Sequence, residues 1–185
     1  CTDHESNTIT ITVNNAPSLS AISAPTAVCS GSNLSLTTPT VTPNGSAIST
    51  EGWEIETSVG SGIFVAFASP FTVIHTDNDK LIRYTATNAC GTTTSNEENI
   101  VVYEIPAIIS TTPNYTCGDG TVLLEAVASL GTIDWYEDET TSTSLFSGNS
   151  YTTPVLSSTT TYYVDATANG CTTANPIQYA VTVEA

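Results

Sequence analysis

The sequence predicts an all-β chain of tandem Greek-key β-sandwiches, and three observations carry that prediction. Thr, Ser, Val and Ile recur in short period-2 runs, and no stretch shows convincing helical periodicity. Turn residues fall at intervals of about 8–12 residues, as in a sandwich of about seven short strands per unit. An order of cysteine, tryptophan, tyrosine-bearing strand, cysteine and closing strand occurs twice, once through Cys29, Trp53, Tyr84 and Cys90 and again through Cys117, Trp135, Tyr162 and Cys171.

The tyrosine strands anchor the repeat. Residues 159–171, TTTYYVDATANGC, read as a strand closed by the turn pair Asn169-Gly170. Strand alternation sends Tyr162, Val164 and Ala166 to one face and Tyr163 and Asp165 to the other. Residues 81–90, LIRYTATNAC, repeat the pattern, with Ile82, Tyr84 and Ala86 on one face and Arg83 and Thr85 on the other. Cys1 corresponds to the end of a third copy. Pro17 follows Cys1 by 16 residues and Pro106 follows Cys90 by 16, and between each pair lies a period-2 run.

The repeat divides the chain into residues 1–15, the last strand of a truncated upstream unit, a unit over 16–105 and a unit over 106–185. In the first full unit, strands are expected near 19–28, where Pro25 suits an edge, then at 33–37, 53–57, 62–68 and 71–76, within 81–90, and at 99–103. Residues 38–50 read as a long loop with an Asn44-Gly45 turn. In the second, strands are expected at 121–127, 131–137, 144–146 and 151–153, within 159–171, and at 177–183. Trp53 and Trp135 are the expected centres of the two cores.

Units of roughly 80–90 residues bury modest cores, so cross-links matter. The repeat order pairs Cys29 with Cys90 and Cys117 with Cys171, each within one unit, and leaves Cys1 for a cysteine in the missing upstream unit. Disulfides imply an oxidising compartment. No C-x-x-C occurs, which disfavours a zinc site.

Two basic residues, Lys80 and Arg83, stand against 18 acidic ones, for a net charge of −16. Nucleic-acid binding needs clustered Lys and Arg and is excluded, and an anionic membrane surface is disfavoured for the same reason. No apolar run reaches membrane-spanning length, so no membrane insertion is expected. The acidic balance leaves calcium as a side question. Asp77 and Asp79, in one turn, are the candidate oxygen ligands, although their spacing matches no EF-hand loop. No resident cofactor is otherwise expected.

The second unit resembles the bacterial Ig-like repeats of large Bacteroidetes surface proteins. The resemblance rests on Cys117-Gly118-Asp119-Gly120-Thr121-Val122-Leu123-Leu124, on GTIDWY at 131–136, on YTTPVL at 151–156 and on residues 159–171. The first unit departs from that pattern: Cys29-Ser30-Gly31 replaces Cys-Gly, an insertion precedes Trp53 and no Y-T-T-P is present. There the likeness is architectural. The resemblance implies tandem Ig-like domains along a long extracellular cell-surface protein, exported by the type 9 route, gliding-motility adhesins among them. It therefore implies neighbouring repeats of the same chain as partners.

Function divides three ways. A structural stalk follows from the short, proline-bearing connections through Pro17 and Pro106, which leave few free residues between units. A glycan- or surface-binding module follows from Tyr136 and Tyr163, which face outward when Trp135 and Tyr162 face inward and so offer one aromatic platform. In the first unit Arg83 takes the place of Tyr163. An enzyme is not expected: His4 and His75 are the only histidines, and no G-x-S-x-G, P-loop or H-E-x-x-H motif occurs.

Overall fold

The computed structural model describes residues 9–112, 115–138 and 143–174, with the backbone strand Ile177–Glu184. Cys1 lies outside the described residues. The chain divides into two compact units, one of residues 1–27 and 33–101, the other of residues 28–32 and 102–185. Relative to the expected boundary, residues 28–32 join the second unit, and the cut falls at 101/102 instead of 105/106. Residues 9–15 form no strand, and Ile9, Ile11 and Val13 stand exposed.

In the first unit the main sheet runs Glu98–Asn99, Leu81–Asn88, Ile48–Glu56, Phe64–Phe67, and Gly91–Thr94 also pairs with Leu81–Asn88. The period-2 reading of Leu81–Asn88 holds: Ile82, Tyr84, Ala86 and Asn88 are buried and the residues between are half-buried. Trp53 lies directly across from Tyr84, with ring centroids 5.2 Å apart and edge to face, a favoured aromatic geometry. Asn88 continues the buried row as a polar residue with its hydrogen bonds made. Its amide Nδ2 donates to the carbonyls of Asn15 at 2.8 Å and Pro43 at 2.9 Å, and its Oδ1 accepts from the Cys90 N–H. Satisfied in this way, it avoids the cost of an orphaned buried amide.

Two expectations change here. The 38–50 loop contains Val41–Thr42, which pairs with Ser18–Leu19, and the tryptophan strand begins earlier than expected, at Ile48. The expected 71–76 strand is only Phe71–Thr72, because His75–Asp77 turns into a 3₁₀ segment that Asp77 caps through Oδ2 on the Ile74 N–H, 2.9 Å away.

In the second unit the larger sheet runs Tyr115–Cys117, Ile177–Glu184, Thr160–Ala168, Thr132–Tyr136, Phe146–Ser147. A second sheet, Ile108–Thr112, Leu123–Ala128, Ser150–Thr152, supplies the other inner face. Val122, Leu124 and Ala126 from one side and Ile133, Trp135, Tyr162, Val164 and Ala166 from the other form one buried cluster. Trp135 is fully buried, and its indole Nε1 donates to the Gly148 carbonyl at 2.9 Å. Gly131 opens this strand at φ +85° and lies against the Thr167 carbonyl, so a Cβ there would collide with backbone.

The sequence reading omits several short strands. Most consequential are Val28–Cys29, parallel to Val102–Tyr103, and Tyr115–Cys117, parallel to Ile177–Glu184. Both place a cysteine beside the end of a closing strand.

Candidate functional site

The cysteines correct the expected pairing. Cys29 is bonded to Cys171, with Cα atoms 5.7 Å apart and a sequence separation of 142 residues. Cys90 and Cys117 are exposed and carry no disulfide. Neither Cys29–Cys90 nor Cys117–Cys171 is formed.

Topology explains why. Cys117 pairs in register with Glu184, the last residue of the closing strand. Cys171 follows the Asn169-Gly170 turn, before that strand begins at Ile177. The two cysteines of this repeat therefore lie at opposite ends of an eight-residue strand. At about 3.3 Å per residue this is over 20 Å, whereas a disulfide needs Cα atoms within about 7 Å. The first repeat has the same order of elements.

The bond that does form lies inside the second compact unit, because residues 28–32 belong to it. Val28–Cys29 adds a short parallel strand to Val102–Tyr103, and the Ser30 N–H donates to the Tyr103 carbonyl at 2.8 Å. Cys171 is buried and Cys29 half-buried.

The alternation on these two strands is as expected. Tyr136 and Tyr163 stand directly opposite each other on adjacent antiparallel strands, both half-buried. Next along the same face, Asp134 stands opposite Asp165. The Tyr136 hydroxyl donates to Asp165 Oδ1 at 3.4 Å. Burial, reinforced by the Asp165 and Asp134 charges, pushes the Tyr136 hydroxyl up to about 12. Burial, and then the facing Asp134 charge, raises the Asp165 carboxyl above its ordinary value against the opposing Tyr136 hydrogen bond. This acidic pair escaped the sequence reading. It becomes legible once Trp135 is set opposite Val164, which puts Asp134 opposite Asp165.

In the first unit the corresponding face is ionic. Glu54 lies opposite Arg83, and Arg83 Nε meets Glu54 Oε2 at 2.8 Å. The guanidinium carbon sits 3.8 Å above the Phe64 ring centroid, and Nη1 lies 3.6 Å from Glu97 Oε1.

Asp77 and Asp79 are not brought together as a cation site. Asp77 Oδ1 pairs with Lys80 Nζ at 2.8 Å while Oδ2 caps the 3₁₀ segment, and Asp79 Oδ2 accepts from Asn78 Nδ2 at 2.9 Å. Among the described residues no three His, Cys, Asp or Glu side chains cluster in a way that could hold a metal ion. Glu56 is likewise engaged within the fold. It is buried, with Oε1 accepting from the Gly62 N–H at 2.8 Å and Oε2 from the Leu81 N–H at 3.5 Å. The Gly62 hydrogen bond, outweighing burial, holds its carboxyl below the usual range.

Residues 104–184 match the family model described as Ig-like domain, CHU_C associated. That segment is similar to Ig-like domains of this type. Among curated proteins there is no match. Solved structures similar to the chain include the four N-terminal Ig domains of Dscam1 isoform 4.44, at 11% identity and TM-score 0.38, covering 92% of this chain and 46% of that one. Sidekick-1 immunoglobulin domains 1–5 align at 14% identity and TM-score 0.45, covering 91% and 39%. The Ig1-2 module of the Drosophila receptor protein tyrosine phosphatase DLAR aligns at 14% identity and TM-score 0.33, covering 91% and 99%. The chain spans about half the length of the Dscam1 structure. At these TM-scores the likenesses carry no weight for function.

Proposed function

We propose that this chain is a stalk segment of a long bacterial cell-surface adhesin, serving surface attachment or gliding motility, with its Ig-like units acting as spacers. The observation that carries the reading is the covalent tie between Cys29, which belongs by sequence to the first repeat, and Cys171 of the second. That bond closes within the second compact unit, so it holds residues 28–32 onto the body that begins at Val102 and resists unravelling of that unit under load. The net charge of −16 discourages association between similar acidic units. The setting is extracellular, since the disulfide requires an oxidising compartment. Small-angle X-ray scattering of the oxidised chain tests the reading: an elongated particle with little hinge freedom is expected. A compact, folded-back pair excludes the stalk.

A second reading, glycan or surface binding through Tyr136 and Tyr163, is favoured by their direct cross-strand pairing. Such pairs also stabilise a sheet without any ligand, by up to about 1 kcal/mol. Replacing both by alanine separates the two: a binding platform loses retention on a glycan array with the fold intact, whereas a sheet-stabilising pair lowers stability and leaves retention unchanged.

A further inference from the structure

Cys117 is the repeat equivalent of Cys29, and the structure shows the equivalence in register. Val28 and Cys29 pair with Val102 and Tyr103, the last residues of one closing strand. Thr116 and Cys117 pair with Val183 and Glu184, the last residues of the other. Both cysteines end a short parallel strand, and each is followed within two residues by a glycine at positive φ, Gly31 at +83° and Gly118 at +71°. Cys29 is bonded to a cysteine that follows the tyrosine-strand turn of the next repeat in sequence, while Cys117 is exposed and unbonded. Cys171 of its own repeat is out of reach at the other end of the closing strand, and is already taken.

We infer that Cys117 is half of a second disulfide of the same kind, its partner being the turn cysteine of a following Ig-like unit, so that each repeat is cross-linked to the next. The inference deepens the stalk reading and rests on it, since only a serial array offers such a partner. Cys90 is the incoming counterpart in the first unit. It lies in the turn enclosed by the Asn88–Gly91 pair, one place earlier than Cys171 relative to the Ala168–Cys171 pair, and is exposed. The chemistry is thiol–disulfide exchange with a low-molecular-weight disulfide. The Cys117 thiolate attacks the oxidant and releases one reduced thiol. The partner thiolate then attacks the Cys117 sulfur of the mixed disulfide, forming the protein disulfide and releasing the second reduced thiol.

The experiment extends the intact chain by a second copy of residues 105–185 fused after Ala185. This preserves the spacing between closing strand and proline found at 102–106. In the appended copy Cys117→Ser removes the redundant thiol, and Thr172→Ser marks the Cys171 peptide by mass. The serine retains the hydroxyl that meets Thr167 at 2.8 Å. The fusion is refolded with oxidised and reduced glutathione, alkylated, digested without reduction and mapped by mass spectrometry. The expected result is a cross-linked peptide joining Cys117 to the marked Cys171, beside the unmarked Cys29–Cys171 peptide. Recovery of Cys117 alkylated or glutathionylated with Cys29–Cys171 intact overturns the inference, as does its bonding to the unmarked Cys171. Cys117→Ser in the first copy should free the marked Cys171 and leave Cys29–Cys171 unchanged. Scattering from the parent chain reports separately on the stalk, so failure of the link and failure of the stalk are told apart.

Discussion

The two units use the same strand pairing to present opposite chemistry. In the first, Trp53 faces Tyr84 and the next outward pair is Glu54 with Arg83, a salt bridge lying over Phe64. In the second, Trp135 faces Val164, and the neighbouring outward pairs are Tyr136 with Tyr163 and Asp134 with Asp165. The inner faces are interchangeable in kind, each built on a tryptophan and alternating apolar residues. The outer faces are not: one gathers a cation between carboxylates, the other sets two carboxylates face to face beneath a tyrosine hydroxyl. Burial constrains what points inward. What lies on the opposite face is free to diverge between repeats.

The largest expected effect tests whether the inner faces are energetically alike. Trp135→Ala and Trp53→Ala should each cost about 3–5 kcal/mol. Trp135 should lie at the upper end, because it is fully buried and its loss also orphans the Gly148 carbonyl, whereas Trp53 retains 6% exposure. Urea unfolding followed by circular dichroism, with the remaining tryptophan reporting the untouched unit, measures both. Equal loss in both transitions from either variant would mean that the units do not unfold separately.

Next in size is the disulfide. The chain-entropy model gives about 5 kcal/mol for a loop of the 142-residue separation joined here, and native bonds return about 2–5. Cys171→Ser should therefore lower the second unit's stability by that range, and Cys90→Ser should leave both units unchanged. A large effect of Cys90→Ser would restore the pairing first expected from the repeat.

How the expected pairing failed shows what sequence carries. The rows Ile82, Tyr84, Ala86 and Tyr162, Val164, Ala166 were legible because alternation is local and burial enforces it. The inward tryptophans and the facing of Tyr136 and Tyr163 followed from the same rule. Val28–Cys29 and Tyr115–Cys117 were not legible. Two- and three-residue strands are too short to show a period, and each is specified by a partner strand some seventy residues away. Without them the cysteines could be counted but not located along the closing strand, and counting alone favoured the nearest pair in each repeat. Asp77 shows a related limit: sequence displays its charge and not the Lys80 and Ile74 partners that engage its two oxygens.

A smaller effect separates the outer faces. A double-mutant cycle on Glu54→Ala and Arg83→Ala should give a coupling of about 0.5–1 kcal/mol. The pair is partly exposed, and such pairs fall in that range. Arg83→Ala alone should cost more than the coupling, since it also removes the cation from the Phe64 ring. Screening by salt should shrink the coupling, whereas a Tyr136 and Tyr163 cycle should be insensitive to it.

The smallest effect reads the same contrast through pH, and here the two units should move in opposite directions. The folded Glu56 carboxyl lies below its ordinary 4.5, so the unfolded chain binds its proton first and the stabilisation it gives the first unit is lost as pH falls through that window. The folded Asp165 carboxyl lies above its ordinary 3.8, so the native state binds the proton first. Its ionised form penalises the second unit above the folded value, and the penalty is relieved as pH falls through that value toward 3.8. Asp165→Asn should thus stabilise the second unit near neutral pH by a few tenths to about 1 kcal/mol, the range for like charges set opposite each other in a sheet. The gain should vanish in acid, where wild type is already neutral at that position. Glu56→Gln should do the reverse in the first unit, lowering stability at neutral pH and flattening its acid dependence. Thermal melts of the two variants and wild type from pH 7 down to about pH 3 decide the matter: if Asp165→Asn destabilises the second unit at pH 7, the Tyr136 hydrogen bond outweighs the Asp134 repulsion, and the outer face of that unit is held together by its acid pair and not strained by it.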